Sequence, residues 1–513
     1  AVTKVEEEEG GEGRKASFFA VARTLLPPPS RVDTNFSGRA SLWWDLWHKT
    51  DATHGVPKAE LRVLLASPLP QREPVHATLL CRLLSHSLQQ SMYPAQLAGL
   101  HWSLTPHSLG LVLRVSGFSQ RAPLLAKDLA AALVALDIPR DHAARFGTVQ
   151  EQLVREYRNF KLERADAHAN FALRLFLETG KWDIPEKQGA AENATVESLA
   201  RFKGRLLKEV SLRGLVHGNL RPTATRDLAA TLAEALTPAL TSTTQPFLEH
   251  RRPSVRVVDL PRGSFHRVSF NSPSTEEPNS AMLLVFVAGQ NEASPSDAAT
   301  FNLLVQLVKE PCFTTLRTRE QLGYVVSARE MAFGTGKGAS VSALALSVLS
   351  KTMAPPQVEL RALAFLEDFE ATLLCTPLEA FESAKRAQVA KLLEPPRRLS
   401  SEASQWWAEV QHGDLDWNRY EALAVATEST SLEDVAALYR RLVLDADTSK
   451  RFSVHVYGNK HSLPHTSATP GTKAAAAAAR VEMGKEATVL ERNTWAAWKD
   501  SMPLLPSEVG RSH

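Results

Sequence analysis

Zinc hydrolysis from a helix needs two histidines four residues apart, so that both imidazoles share one face, with a glutamate beside them as general base. The chain has 513 residues and sixteen histidines. Only His461 and His465 have that spacing, in the stretch HSLPH. No glutamate accompanies them, and Pro464 does not suit a regular helix interior. His101 and His107 are too far apart for one helical face and fall in an expected hairpin. Glu249–His250 reads as an exposed linker rather than a ligand pair. The reading is therefore no metal site and no catalytic residue in this chain.

The stretch LRTREQLGYVV, Leu316 to Val326, is the other place where chemistry could reside. Arg317 carries five hydrogen-bond donors and a permanent charge. Tyr324 adds a phenol that stays protonated near neutral pH. Read locally, the stretch is a helix end followed by a strand. Gly323 is expected to take the left-handed conformation at the helix terminus. Tyr-Val-Val opens the strand. Arg317 is then a cation favoured by the helix dipole, Arg319 and Glu320 a surface pair worth little, and Phe313 a core side chain. Cys312 reads as a small buried group. The glycines of FGTGKGAS, Phe333 to Ser340, read as a hairpin turn, since a phosphate loop needs other spacing and a Lys-Ser/Thr ending.

The elements that must position these residues follow one plan, used twice. In the first half, Glu60–Pro68 is a strand and Pro74–Tyr93 a helix. His101–Ser119 is a strand pair, and helices cover Ala122–Leu136, Asp141–Thr179 and Thr195–Glu209. A strand at Leu212–Leu220 and a helix near Arg226–Leu236 close that half. In the second half, Ala281–Gln290 is a strand. Ser296–Gln321 is helical with a break or kink at Pro311, and strands bracket the glycine-rich turn. Helices follow at Gln357–Leu374, Pro377–Leu393, Ser400–Val410 and Ser431–Leu442, with Ser431 as N-cap. Arg451–Asn459 is the closing strand. The junction YPAQLAGLHWSL, Tyr93 to Leu104, is a weaker twin of TREQLGYVVSA, with Gln96 expected to match Gln321. The fold class expected is α+β: two related domains, each a mainly antiparallel sheet packed by helices. The division is residues 1–40 as a tail, 41–250 as the first domain and 251–513 as the second.

Composition narrows the function. A net charge of +3 with no basic arm argues against nucleic acid. Three distant cysteines, Cys81, Cys312 and Cys375, argue against a disulfide framework and suit a reducing, cytoplasmic compartment. No apolar run reaches membrane-spanning length. The acidic VEEEEGGEGRK segment reads as disordered, and a chain beginning at Ala1 suits a fragment or a processed product.

The stretch EPCFTTLRTREQLGYVV, Glu310 to Val326, resembles a signature in the C-terminal half of the insulin-degrading enzyme and nardilysin group of zinc metallopeptidases, the insulinase/pitrilysin family. SLWWDLWHKTD, YPAQLAGL, LVHGNL, KLLEPPRRLSSEASQWWAEV, FSVHVYG and MPLLP fall in matching order, from about Ser41 to about Pro506. The resemblance implies four related α+β domains in two halves that close as a clamshell, of which this chain is the second half. It implies a zinc-bearing N-terminal half as partner, on the same polypeptide or a separate chain, with no cofactor here. It implies that Arg317 and Tyr324 bind the peptide substrate near the scissile bond and that Phe313 lines a pocket beyond the cut. A homodimer is compatible. Two alternatives stay open: a zinc-free binding or assembly subunit of the same fold, and a scaffold with no peptidase partner.

Overall fold

The computed structural model describes residues 27–34, 44–141, 143–208, 210–236, 253–290, 294–336, 338–463 and 487–505. The acidic N-terminal stretch, Glu249–His250 and His465 lie outside them.

Alternating and continuous apolar runs build two six-stranded sheets. The first uses β1 (Ser30–Arg31), β2 (Trp44–Thr50), β3 (Lys58–Ala66), β4 (His101–His107), β5 (Gly110–Phe118) and β6 (Ser211–Gly218), in the order β1-β2-β6-β3-β5-β4. The second uses β7 (Ser264–Asn271), β8 (Ser280–Gln290), β9 (Val325–Phe333), β10 (Val341–Ser350), β11 (Lys450–Tyr457) and β12 (Thr488–Leu490), in the order β12-β7-β11-β8-β10-β9. The last five positions of each order correspond one to one. In each sheet the first long strand runs parallel to the last, as β2 to β6 and β7 to β11, and the other three pairings are antiparallel. The duplication read from element order is thus present in strand order and direction. It does not extend residue by residue to the junction. Leu100 and Leu104 in β4's segment, and Val326 and Ala328 in β9, face their own helices. Gln96 lies in the last turn of the helix Pro74–Leu97, whereas Gln321 follows a helical turn with a left-handed backbone, so the two glutamines sit differently in their junctions.

The first-half helices are α1 (Pro74–Leu97), α2 (Ala122–Ala135), α3 (Ala143–Asn159), α4 (Ala165–Leu177), α5 (Ile184–Glu192), α6 (Val196–Lys208) and α7 (Pro222–Leu236). The helical stretch expected from Asp141 to Thr179 holds two long helices, separated by a 3-10 turn at Phe160–Leu162 and an extended Arg164. Those of the second half are α8 (Pro295–Cys312), α9 (Pro355–Leu374), α10 (Leu378–Leu392), α11 (Leu399–His412), α12 (Arg419–Ser429), α13 (Leu432–Tyr439) and α14 (Trp495–Ser501). Ser431 caps α13 as expected, its hydroxyl accepting from the Asp434 amide at 3.1 Å.

One face of each sheet is covered by helices of its own half. The other face is covered by a helix of the opposite half. Trp407 and Val410 of α11 pack on Leu64, Ala66, Val112 and Leu215 of the first sheet. Ala169, Ala172, Leu173 and Phe176 of α4 pack on Leu283, Val285, Ala343 and Phe452 of the second. Cations then cap the C-termini of the exchanged helices, where carbonyls lack partners. The Arg213 guanidinium donates to the carbonyls of Val410 and Gln411 at 3.2 and 2.8 Å. The Lys499 ammonium donates to those of Leu175 and Glu178 at 2.9 and 2.8 Å. Neither sheet has two covered faces without the other half.

Candidate functional site

The junction begins at the end of α8. Ser294 caps this helix, its hydroxyl accepting from the Asp297 amide at 3.1 Å. Pro311 does not end it: α8 runs on through the proline to Cys312 and widens into a π-helical turn, Phe313–Arg319. A proline lacks the amide for an ordinary helical bond, and the wider turn takes up the mismatch. Its end is tied by the Glu320 amide donating to Thr315 O at 2.9 Å and the Leu322 amide to Leu316 O at 3.0 Å.

The left-handed residue is Gln321, with φ +53°, rather than Gly323. Gly323 serves a different need. A Cβ at that position would lie 2.1 Å from the Leu349 carbonyl oxygen, so the chain can pass under the end of β10 only without a side chain.

Cys312, Leu316 and Leu322 point into the core, where they meet Val326 and Ala328. Phe313 and Tyr324 point outward, 46% and 52% exposed, and Arg317 is half-buried. Phe313 is therefore not the core side chain that local pattern suggests. No described residue pairs with the Arg317 guanidinium. Glu320 does have a partner, but it is Arg361 of α9, whose Nε and Nη2 donate to the two carboxylate oxygens at 2.8 Å each; the Arg319–Glu320 pair does not form. Burial pushes the Cys312 thiol up to about 12, so it is an inert packing group. All three cysteines are unpaired.

The first half holds the site strand in place. Arg329 of β9 donates to the Asn170 side chain of α4 at 2.7 Å, and Arg174 of α4 donates to the Ala332 carbonyl at 3.1 Å. Glu178 accepts from the Gly334 amide at 3.0 Å and is itself paired with Arg174 and Lys181. Tyr324 lies within electrostatic reach of Arg164 at the start of α4. That guanidinium is raised above its usual range chiefly by its hydrogen bond to Asp166, with Tyr324 contributing less. The glycine-rich segment is the β9–β10 turn, with positive φ at Gly334, Gly336 and Gly338.

The arrangement offers one guanidinium, one phenol and one aromatic face to solvent on a backbone anchored at both ends. Such donors suit a peptide carbonyl, the more so as it gains negative charge.

His461, one of the two histidines at helical spacing, is instead bonded to the Ser280 hydroxyl at 2.9 Å. The structure does assemble a histidine–carboxylate group that spacing could not reveal. Asp51 and His54 from the β2–β3 loop and Glu402 of α11 present ligand atoms all within 4.8 Å of one another. His217 of β6 adjoins them, its Nε2 lying 3.4 Å from Glu402 Oε2.

Comparison with known proteins agrees with this architecture. Residues 39–190 match the profile described as the middle or third domain of peptidase M16, and residues 303–407 that of the PQQ synthase PqqF-like C-terminal lobe domain 4. The insulin-degrading enzyme of Bos taurus is 29% identical over 445 residues, covering 86% of this chain and 41% of that protein. The chain is therefore similar to the C-terminal half of insulinase-family peptidases. Nardilysin of Pongo abelii is 28% identical over 420 residues, covering 80% of this chain and 35% of its own length. The crystal structure of pitrilysin superposes with a TM-score of 0.74 at 18% identity, over 94% of this chain and 48% of that one. The chain thus spans about 40% of the curated insulin-degrading relatives it matches. The fold is α+β, with two related sheets packed by helices.

Proposed function

We propose that this chain is the substrate-binding, non-catalytic half of a zinc metalloendopeptidase. It encloses one side of a chamber and presents Arg317, Tyr324 and Phe313 to a peptide near the bond that is cut. The observation that carries this is the outward placement of those three side chains on a junction anchored by Cys312, Leu316 and Leu322. A junction needed only for folding gains nothing from a half-buried arginine without a described partner and two exposed aromatics. Hydrolysis itself requires a partner half carrying zinc and a general base, which generates the attacking hydroxide. Arg317 and Tyr324 would donate to the peptide carbonyl groups, and Phe313 would contact a substrate side chain.

A fluorogenic peptide assay on the purified chain, alone and mixed with a zinc-bearing N-terminal half, tests this. Hydrolysis is expected only in the mixture. Chelator-sensitive cleavage by this chain alone contradicts it, and a mixture that forms a complex without gaining activity favours the assembly-subunit alternative.

A further inference from the structure

A sheet ends in edge strands, whose outward main-chain donors and acceptors are open to a further strand unless the edge is short, broken or covered. Three of the four sheet edges here are blunted in that way. β1 has 2 residues, β12 has 3, and β4 carries Pro106. The fourth, β9, is 9 residues long, contains no proline, and begins next to Tyr324.

Along an antiparallel strand, successive residues turn their main-chain groups to opposite sides. Leu349 of β10 lies opposite Val325, and its carbonyl oxygen is turned toward β9, since a Cβ on Gly323 would lie 2.1 Å from it. The odd-numbered residues of β9 therefore bond to β10, and the even-numbered ones face outward. Two contacts agree with this. The Ala332 carbonyl accepts from Arg174 at 3.1 Å, and the Gly334 amide donates to Glu178 at 3.0 Å. Side chains of α4 thus occupy the far end of the edge. Ahead of them Val326, Ala328 and Glu330 each present one donor and one acceptor, and no described group bonds to those main-chain atoms. Neighbouring charges do not screen them. Arg329 is drawn to Asn170, and the Glu330 carboxylate accepts from the Ser342 hydroxyl at 2.6 Å.

We propose that an extended peptide adds to this edge as a further strand, its main chain paired with Val326, Ala328 and Glu330. A peptide backbone repeats donor and acceptor at the spacing this edge offers. The edge is continuous with the junction, so a chain lying along it passes Tyr324, and α4 sets the limit of the paired segment. Pairing through the main chain tolerates varied side chains. The inference rests on the reading of the junction as the place where a peptide substrate is held, and it adds how the backbone is held.

The full chain titrated with a fluorescein-labelled octapeptide of alternating threonine and valine tests this, by anisotropy and by amide hydrogen exchange. Peptide should slow exchange at Val326, Ala328 and Glu330 and leave Ser327 and Arg329, already bonded to β10, unchanged. N-methylation of alternate peptide residues should abolish binding in one phase and spare it in the other. Glu330→Pro removes an outward donor and no bond to β10, and should weaken binding roughly tenfold. Ser342→Ala, which releases the same carboxylate, should bind like wild type. Absence of binding at millimolar peptide overturns the proposal, as does binding without slowed exchange at the three amides or equal binding of both N-methylated phases. Slow exchange at those amides without peptide, with a dimer in ultracentrifugation, also overturns it and makes the edge an interface between copies. Arg317→Ala separates this inference from the junction reading. Peptide binding that needs Arg317 but leaves the edge amides unprotected overturns the edge alone; protected edge amides with full binding by Arg317→Ala support the edge and count against that arginine.

Discussion

At the residue scale, the junction shows two demands that one letter can hide. A glycine after a helix serves equally for left-handed φ and for close backbone approach, and the sequence around Gly323 is compatible with both. Gln321 takes the first role and Gly323 the second. Gly323→Ala should therefore destabilise by about 1–3 kcal/mol through overpacking against Leu349, read as a fall in thermal midpoint. A variant as stable as wild type would show that the β10 end yields freely. The candidate side chains Arg317, Tyr324 and Phe313 were visible in the sequence. Their exposure was not, because a π-helical turn shifts which side chains face out, and Pro311 marks an irregularity in the helix without fixing its form. The His54–His217–Glu402 group was illegible for another reason: its members are distant in sequence and meet only through packing.

At the element scale, long apolar strands such as β3, β8 and β10 declare themselves, as does a capped helix such as α13. Misses follow from weak local contrast. The break between α3 and α4 carries no proline or glycine, and α5 was overlooked although Asp183 and Glu186 form a capping box. The exchange of α4 and α11 between sheets could not be read from either helix, since an apolar face does not name its partner. Trp407→Ala in α11 should cost about 3–5 kcal/mol, measured by denaturant unfolding, because Trp407 is buried against the opposite half. A second buried carboxylate gives a pH prediction. Burial of Glu359 in α9 alone would raise its pKa, but His455, Arg267 and Ser453 outweigh that and hold it down to about 2. A carboxylate depressed in the folded state contributes stability above its unfolded value, about 4.3, and loses it as pH falls toward the folded one. Stability should thus drop between about pH 4.5 and 2 in wild type, and Glu359→Gln should be less stable at pH 7 with a shallower acid slope. Parallel curves would contradict this.

At the scale of the whole molecule, duplication was readable because element order repeats, whereas the mutual covering of the two sheets was not. That covering makes the halves interdependent. Residues 27–252 and 253–513 expressed separately should be insoluble or molten, and should recover cooperative unfolding only when produced together. Two independently folded, monomeric halves would show that the exchanged helices are dispensable. The same interdependence bears on function, since β9 is held against α4 by Arg329 and Arg174.

The central claim is that Arg317 and Tyr324 act on the peptide in a complete enzyme. The most direct measurement is kcat/KM of the chain combined with its zinc-bearing half, for Arg317→Ala, Tyr324→Phe and the nearby control Arg319→Ala, with thermal unfolding of each. A charged donor's hydrogen bond is worth about 1.5–3 kcal/mol, so Arg317→Ala should lose roughly 10- to 100-fold. Tyr324→Phe should lose less, and Arg319→Ala should match wild type, all three folding normally. Wild-type rates in all three folded variants would contradict the account and leave the junction a purely structural joint.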